Sequence, residues 1–183
     1  MLPCGTLRDL PSECRRANAV VVTKCPSPMQ PIARRIVSNQ LQLASYQNLC
    51  YSSVKYEPIT LNSAPLVVAG IANPKPMFEY IQTLYPDAQL LEFADHHVFG
   101  KRDVQRILKA SQQFGCVITT EKDYMRMKQT TLVDDLGDKL LVLRMQTDLG
   151  EDKETFDRAV MLYVAENNRV KTYKNRKKPQ DNQ

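Results

Sequence analysis

The chain has 183 residues, of which 43% are hydrophobic and 25% charged, a composition typical of a soluble globular domain with a real core. No window approaches the roughly 18 apolar residues that a membrane-spanning helix needs, and the N-terminus lacks the pattern of a secretion signal. Five scattered cysteines without a C-x-x-C pair argue against a disulfide framework and a zinc site, and they favour a reducing, cytosolic compartment.

The net charge of +5 is concentrated at one end of the chain. Residues 169–183 carry six basic side chains and one acidic one, whereas the rest of the chain carries 19 of each sign. We therefore predict a globular body over residues 1–167 and a basic, disordered tail over residues 168–183. Weak attraction of the tail to anionic lipid or to nucleic acid is the alternative, but no aromatic residues interleave with the bases to support nucleic-acid binding.

The first half of the chain predicts strands that alternate with a helix. The β-branched segment 19–23 is typical of a buried strand, and apolar residues recur at helical spacing after Pro31. Residues 46–60 predict an exposed strand, and residues 66–71 form the clearest buried one. Asn73-Pro74 then predicts a helix start, with the asparagine as cap and the proline just inside.

The second half continues the same alternation. Its predicted elements are, in chain order, a helix after Pro74, a strand over 89–93, a helix around Ile107, a strand over 116–119, a strand over 139–144 and a helix over 156–163. Strands alternating with helices predict an α/β fold with a layered, mostly parallel sheet and flanking helices.

Three predicted strands run into polar clusters. In such sheets ligands bind beyond the carboxyl ends of the strands, so we expect the three clusters to share one edge of the sheet. They are Gly70-Ile71-Ala72-Asn73, Asp95-His96-His97 and Thr120-Glu121-Lys122-Asp123.

His96 and His97 are the only histidines in the chain, and they follow the carboxylate of Asp95. A histidine gives or takes a proton near neutral pH, and a neighbouring carboxylate orients it. The alternative interpretation is a surface turn with solvated histidines. A two-metal phosphoesterase of the Asp-His-His type is disfavoured, because only Asp9 and Asp87 precede Asp95 and they form no D-x-D pair.

The segment Thr120 to Asp123 predicts a helix N-terminus, with Thr120 as cap and the acidic residues Glu121 and Asp123 at the positive end of the helix dipole. Lys122 is unfavourable in a first turn, so we expect it to face an anionic ligand or a neighbouring carboxylate. Asn73 predicts a second helix N-terminus at this edge, able to hold an anion.

The six glycines exclude two phosphate-binding motifs from this sequence. The closest two are Gly137 and Gly150, whereas G-x-x-x-x-G-K-[ST] and G-x-G-x-x-G both need glycines a few residues apart. We therefore expect no glycine-rich nucleotide loop in the chain itself. Because the cysteines lack zinc-site spacing and no D-x-D pair precedes Asp95, we also expect no metal site.

The order of several segments is similar to that of a known family. The segments are Leu2-Pro3-Cys4-Gly5-Thr6-Leu7-Arg8-Asp9, Ala19-Val20-Val21-Val22-Thr23, Gly70-Ile71-Ala72-Asn73-Pro74, Phe93-Ala94-Asp95-His96 and Ile118-Thr119-Thr120-Glu121-Lys122-Asp123. Together they resemble the C-terminal half of tetraacyldisaccharide 4'-kinase, the lipid A kinase of Gram-negative bacteria, over residues 2–165.

The resemblance implies a function and its cofactors. The family transfers phosphate from ATP, with Mg²⁺, to the 4'-hydroxyl of a tetraacylated glucosamine disaccharide 1-phosphate. It acts peripherally at the cytoplasmic face of the inner membrane. It has two α/β lobes, of which the N-terminal one holds the phosphate loop. This chain would then be one lobe of a P-loop-type kinase, inactive alone and dependent on the missing N-terminal lobe.

The resemblance also implies roles for residues. His96 matches the histidine that works with an aspartate of the N-terminal lobe to activate the sugar hydroxyl, and Asp95 is its support. Arg8, Asp9, Asn73 and the segment 120–123 match positions near the substrate cleft. Asp9 stands where the family commonly has glutamate, and His97 lies outside the shared pattern. A non-catalytic module that binds lipid or a partner is the alternative function.

Overall fold

The computed structural model describes the backbone of residues 9–176 and the side chains of residues 9, 10 and 12–167. The chain divides into two compact units. Unit 1 comprises Met1–Lys55 and Thr147–Gln183, and unit 2 comprises Tyr56–Gln146.

Unit 1 is built on a parallel pair of strands. Its elements are a 3-10 turn at Pro11–Arg16, β1 (Ala19–Val22), α1 (Pro31–Leu41), β2 (Asn48–Tyr51), a second 3-10 turn at Gly150–Asp152 and α6 (Lys153–Arg176). Strand β1 pairs with β2 from Ala19 opposite Asn48 to Val22 opposite Tyr51. The short strands β3 (Ser53–Tyr56) and β8 (Met145–Asp148) pair with each other and carry the two chain crossings between the units.

One expectation about this region needs correction. Residues 46–60 are not one exposed strand but the two strands β2 and β3, and Cys50, Tyr51 and Ser52 are buried. The physical reason is that β2 is covered by α6 and receives a carboxylate, Asp152, on the backbone N–H of Tyr51 at 2.9 Å. The helix α6 continues to Arg176 and includes residue 167, and the boundary between a globular body and a tail at that residue stays a prediction. The tail beyond Arg176 lies outside the described residues.

Unit 2 contains a four-stranded parallel sheet in the order β5-β4-β6-β7. Its elements are β4 (Leu66–Ala69), α2 (Lys75–Leu84), β5 (Gln89–Glu92), α3 (Lys101–Ser111), β6 (Val117–Thr120), α4 (Glu121–Met127), α5 (Leu132–Leu136), a 3-10 turn at Gly137–Lys139 and β7 (Leu140–Leu143). The predicted α/β fold with a mostly parallel sheet and flanking helices is confirmed.

The central strand β4 is buried on both faces, as its uninterrupted apolar run predicts. Leu66 and Val68 point into one core, which is completed from α3, α4 and α5 by residues such as Ile107. Val67 and Ala69 point into the opposite core, which is completed largely from α2. Helices on both faces leave the ends of the strands accessible.

The start of α2 differs from the prediction. The first helical hydrogen bond runs from the N–H of Phe78 to the carbonyl of Pro74, at 3.0 Å, which makes Pro74 the cap residue. Asn73 therefore stands one position too early to cap the helix. Pro76, in the first turn, also lacks the N–H that a capping side chain would bind. Asn73 is not the helix cap.

Candidate functional site at the carboxyl edge of the sheet

The carboxyl ends of β4, β5 and β6 lie side by side, because the three strands are parallel neighbours. The polar clusters that follow them are joined by direct contacts. Gly70, after β4, hydrogen-bonds to Asp123 in α4, and Arg126 in α4 contacts His96, after β5. The structure thus brings the three predicted clusters together at one edge of unit 2.

Asp123 is the buried centre of this edge. Its side chain has no exposed surface, and Oδ2 accepts hydrogen bonds from the Gly70 N–H and from the Thr120 hydroxyl, both at 2.9 Å. Thr120 caps α4 in return, accepting from the Asp123 N–H at 3.0 Å. Oδ1 faces the guanidinium of Arg126 at 2.9 Å. A buried carboxylate is stable only when paired and hydrogen-bonded, and Asp123 meets both conditions.

Arg126 is not among the site residues predicted from the sequence, but its side chain links the ends of all three strands. Its Nη1 donates to the carbonyl of Gly70 and to Asp123 Oδ1, both at 2.9 Å. Its Nη2 lies 3.2 Å from His96 Nδ1. The signal that could have identified it is its spacing: Arg126 stands three residues after Asp123 in a predicted helix, so the two side chains share a face.

His96 is the most exposed member of the cluster, with 72% of its side chain accessible. Its backbone adopts a left-handed conformation, with φ of 60°. Non-glycine residues rarely take this conformation, although histidine does so more often than most. Residues in such backbone conformations are concentrated at functional sites. Asp95 Oδ1 stabilises the turn by accepting from the His96 N–H at 2.9 Å.

Asp95 and Lys122 connect the same turn to α4. The ammonium nitrogen of Lys122 lies 3.7 Å from Asp95 Oδ1, and Asp95 Oδ2 lies 3.6 Å from His96 Nε2. Lys122 therefore faces a neighbouring carboxylate, one of the two partners expected for a cation in the first turn of a helix. All three side chains are at least partly exposed, which leaves them accessible to a ligand.

His97 has a different environment from His96. Its ring packs against Phe93 and Phe99, with centroids 4.9 and 5.2 Å away, and its Nε2 lies 3.0 Å from Asp103 Oδ2. The Gly100 N–H donates to the same oxygen at 2.8 Å. This backbone hydrogen bond, followed by that of His97, lowers the pKa of the Asp103 carboxyl. His97 therefore links the turn to the start of α3.

The remaining predicted site residues are more dispersed. Glu121 is exposed, with Oε1 3.9 Å from Nε of Arg144. Asn73 is exposed in the loop after β4 and makes no side-chain hydrogen bond within the part of the chain that the structure describes. Asp9 belongs to unit 1, where it lies 3.8 Å from Arg16. Arg8 lies outside the described residues.

The cofactors implied by the resemblance find no complete set of ligands here. Between residues 9 and 176, no group of three or more histidine, cysteine or acidic side chains is arranged to hold a metal ion. Asp95 and His96 direct Oδ1 and Nδ1 at the cations of Lys122 and Arg126 instead. The sequence also contains no glycine-rich phosphate loop.

No helix among the described residues has the length and apolar character needed to span a membrane. The described cysteines, Cys14, Cys25, Cys50 and Cys116, are all free thiols.

Comparisons with known proteins give a consistent result. The family model described as tetraacyldisaccharide-1-P 4'-kinase matches residues 1–164. Proteins named tetraacyldisaccharide 4'-kinase are similar to the chain: that of Bacteroides thetaiotaomicron is 31% identical over 96% of this chain and 54% of its own length. That of Flavobacterium johnsoniae is 34% identical over 91% of this chain and 51% of its own length.

A solved structure, LpxK from Aquifex aeolicus in complex with ATP, is similar at 14% identity with a TM-score of 0.47, covering 88% of this chain and 47% of the other. The chain thus spans about half the length of the curated relatives it matches. The family model covers most of this sequence, and the chain therefore belongs to the tetraacyldisaccharide-1-P 4'-kinase family.

Proposed function

We propose that this chain is the C-terminal part of an ATP-dependent kinase that phosphorylates the 4'-hydroxyl of tetraacyldisaccharide 1-phosphate, in lipid A biosynthesis. The observation that carries the proposal is the joined cluster of Asp95, His96, Lys122, Asp123 and Arg126 in a member of this kinase family. The proposed substrate is a lipid, so the enzyme would work as a peripheral protein at the cytoplasmic face of the bacterial inner membrane.

The proposed division of labour follows from what the chain contains. Phosphoryl transfer depends mainly on positioning and on neutralising charge. The exposed ring of His96 would act on the acceptor hydroxyl together with a carboxylate from the rest of the enzyme, and Asp95 would support the turn that presents it. The nucleotide and Mg²⁺ would be held by a lobe whose phosphate loop this sequence does not contain.

The other predicted residues have supporting parts in this proposal. Lys122 is half-exposed and would lend positive charge near the anionic substrate while Asp95 holds it. Thr120 and Asp123 are buried and would maintain the edge itself. Glu121 and Asn73 are proposed to contact substrate from the edge of unit 2. The family resemblance alone supports a substrate contact for Arg8 and Asp9.

A phosphate-transfer assay tests the proposal. One sample is the 183-residue chain, and the other is a chimera in which this chain follows the N-terminal part of the Bacteroides thetaiotaomicron relative, up to the point where its similarity to this chain begins. With radiolabelled ATP and the acyl disaccharide 1-phosphate, we expect turnover by the chimera and none by the chain alone. Turnover by the chain alone, or a folded chimera that binds both substrates but transfers no phosphate, would contradict the proposal.

The phosphoesterase alternative is disfavoured by the site geometry. A metal bound by Asp95 and His96 would have to displace the cations of Lys122 and Arg126 from the oxygen and nitrogen they face. Like-charge repulsion opposes this exchange unless several more anionic ligands are present. Calorimetric titration with Mn²⁺ that gave saturable binding, lost in Asp95→Asn, would reverse this conclusion.

A further inference from the structure

Arg126 stands between the buried and the exposed parts of the site. About 20% of its side chain is accessible, whereas Asp123 on one side has no exposed surface and His96 on the other is 72% accessible. Two contacts of Nη1, to the Gly70 carbonyl and to Asp123, hold the guanidinium in one orientation. The planar fork then points Nη2 at the ring of His96.

The contact with His96 restricts the protonation of the ring. Arginine is always a cation, and its nitrogens only donate hydrogen bonds. The ring nitrogen 3.2 Å from Nη2, which is Nδ1, must therefore be the acceptor and carries no proton. A neutral imidazole has one protonated nitrogen, so the proton of His96 is on Nε2.

The other ring nitrogen remains available. Asp95 Oδ2 lies 3.6 Å from Nε2, which is beyond normal hydrogen-bond distance. The Nε2–H of His96 therefore lies on an exposed surface near the Asp95 carboxylate but makes no short hydrogen bond to it. It can donate to an oxygen of another molecule or of another part of the enzyme.

We propose that Arg126 is a positioning residue that fixes His96 in the tautomer with the proton on Nε2, so that His96 serves as a hydrogen-bond donor to an anionic oxygen. This inference rests on the proposed kinase function. In that reaction the proton of the acceptor hydroxyl would pass to a carboxylate from the rest of the enzyme, which the Nε2–H of His96 orients. The hydroxyl oxygen would form its bond to the γ-phosphorus of ATP as the bond from that phosphorus to the β,γ-bridging oxygen breaks, and ADP leaves. His96 orients the carboxylate and keeps its own proton.

The presence of only two histidines makes the tautomer directly measurable. Long-range proton–nitrogen correlation spectra of the full chain, labelled with ¹⁵N-histidine, distinguish protonated from unprotonated ring nitrogens, and His96→Gln assigns the signals. At neutral pH we expect an unprotonated, hydrogen-bonded Nδ1 and a protonated Nε2 for His96. A protonated Nδ1 in the wild-type chain would overturn the proposal.

Arg126→Lys separates positioning from structural support. Lysine keeps a cation beside Asp123 but lacks the second nitrogen that reaches His96. We expect the Nδ1 signal of His96 to move towards that of a nitrogen without a hydrogen bond, with the His97 signals unchanged and thermal unfolding within a few degrees of wild type. Arg102→Lys, on the exposed side of α3, is the matched control and leaves both histidines unchanged.

In the chimera, Arg126→Lys is expected to lower kcat roughly tenfold without changing KM, as expected for loss of one charge-assisted hydrogen bond. Unchanged His96 signals and unchanged kcat in Arg126→Lys would show that Arg126 only pairs with Asp123. If His96→Ala leaves kcat unaltered while Arg126→Lys still shifts the His96 signals, the proposed function fails and the tautomer assignment stands.

Discussion

At the carboxyl edge of the sheet, the contacts of individual residues depend on segments that are distant in the sequence. The hypothesis that His96, and not His97, is the catalytic histidine rests on the family resemblance. The contacts show only that the two rings have different environments. His96 is exposed in a left-handed turn, whereas His97 packs against Phe93 and Phe99. The role of Arg126 could not be predicted, because it depends on where the ends of β4 and β5 meet α4.

Gly70 is closely packed against its neighbours. A Cβ at this position would lie 3.2 Å from Asp123 Oδ1, 3.4 Å from the Ala94 carbonyl oxygen and 3.5 Å from His97 Cβ. Asp123 cannot retreat without losing its hydrogen bonds to Thr120 and Arg126. We expect Gly70→Ala to destabilise the protein by about 1–3 kcal/mol, as overpacking generally does, measured by urea unfolding.

The matched control for that substitution is Gly115→Ala. The new Cβ would meet only Ser63, an exposed residue whose hydroxyl can rotate away. We expect a smaller loss of unfolding free energy than for Gly70→Ala. An equal or larger loss at Gly115 would mean that the edge around Asp123 is not unusually rigid.

At the scale of elements, the local pattern predicts which segments are helices and strands but not how their ends are capped. The apolar run of β4 and the helical spacing around Ile107 identify their elements, because burial imposes those patterns. Capping depends on single hydrogen bonds. The expected cap at Asn73 is wrong, whereas Thr120 caps α4 as expected, because its hydroxyl reaches the Asp123 N–H.

The N-terminus of α3 provides a pH-dependent test at this scale. The hydrogen bonds from the Gly100 N–H and from His97 lower the pKa of Asp103 in the folded state. A lowered pKa stabilises the fold above the pKa of the unfolded chain, about 3.9 for aspartate, and this contribution is lost as the pH falls further. We expect wild type to be more stable than Asp103→Asn at pH 7, with the difference shrinking below about pH 4.

Urea unfolding of both proteins at several pH values between 7 and 3 measures this difference. Asparagine has nearly the shape of aspartate but no charge, so the comparison isolates the carboxylate from the other acidic groups. A difference that stays constant across this range would refute the ionic explanation.

For the whole molecule, the sequence predicts the α/β class and the shared edge of the sheet but not the division into two units. That division follows from contacts between segments that are far apart in the sequence. Unit 1 combines Met1–Lys55 with Thr147–Gln183, and the residues between them in the sequence form unit 2. Long-range pairing of this kind leaves no local periodicity. The sequence predicts the members of the candidate site at Asp95, His96 and Lys122, whereas the Asp123–Arg126–His96 linkage requires the structure.

We propose that this sheet edge acts on the acceptor of a phosphoryl transfer, with His96 orienting the carboxylate that takes the proton of the acceptor hydroxyl. The most direct measurement is the rate of phosphate transfer by the chimera carrying His96→Ala, compared with the unmodified chimera and with Gln82→Ala on the exposed side of α2. We predict a loss of at least about 100-fold for His96→Ala, because the carboxylate that accepts the hydroxyl proton loses its orientation and general acid–base catalysis usually contributes that much. We predict wild-type turnover for Gln82→Ala. An unchanged rate in His96→Ala would contradict the account and leave the Asp95-His96 turn a structural feature.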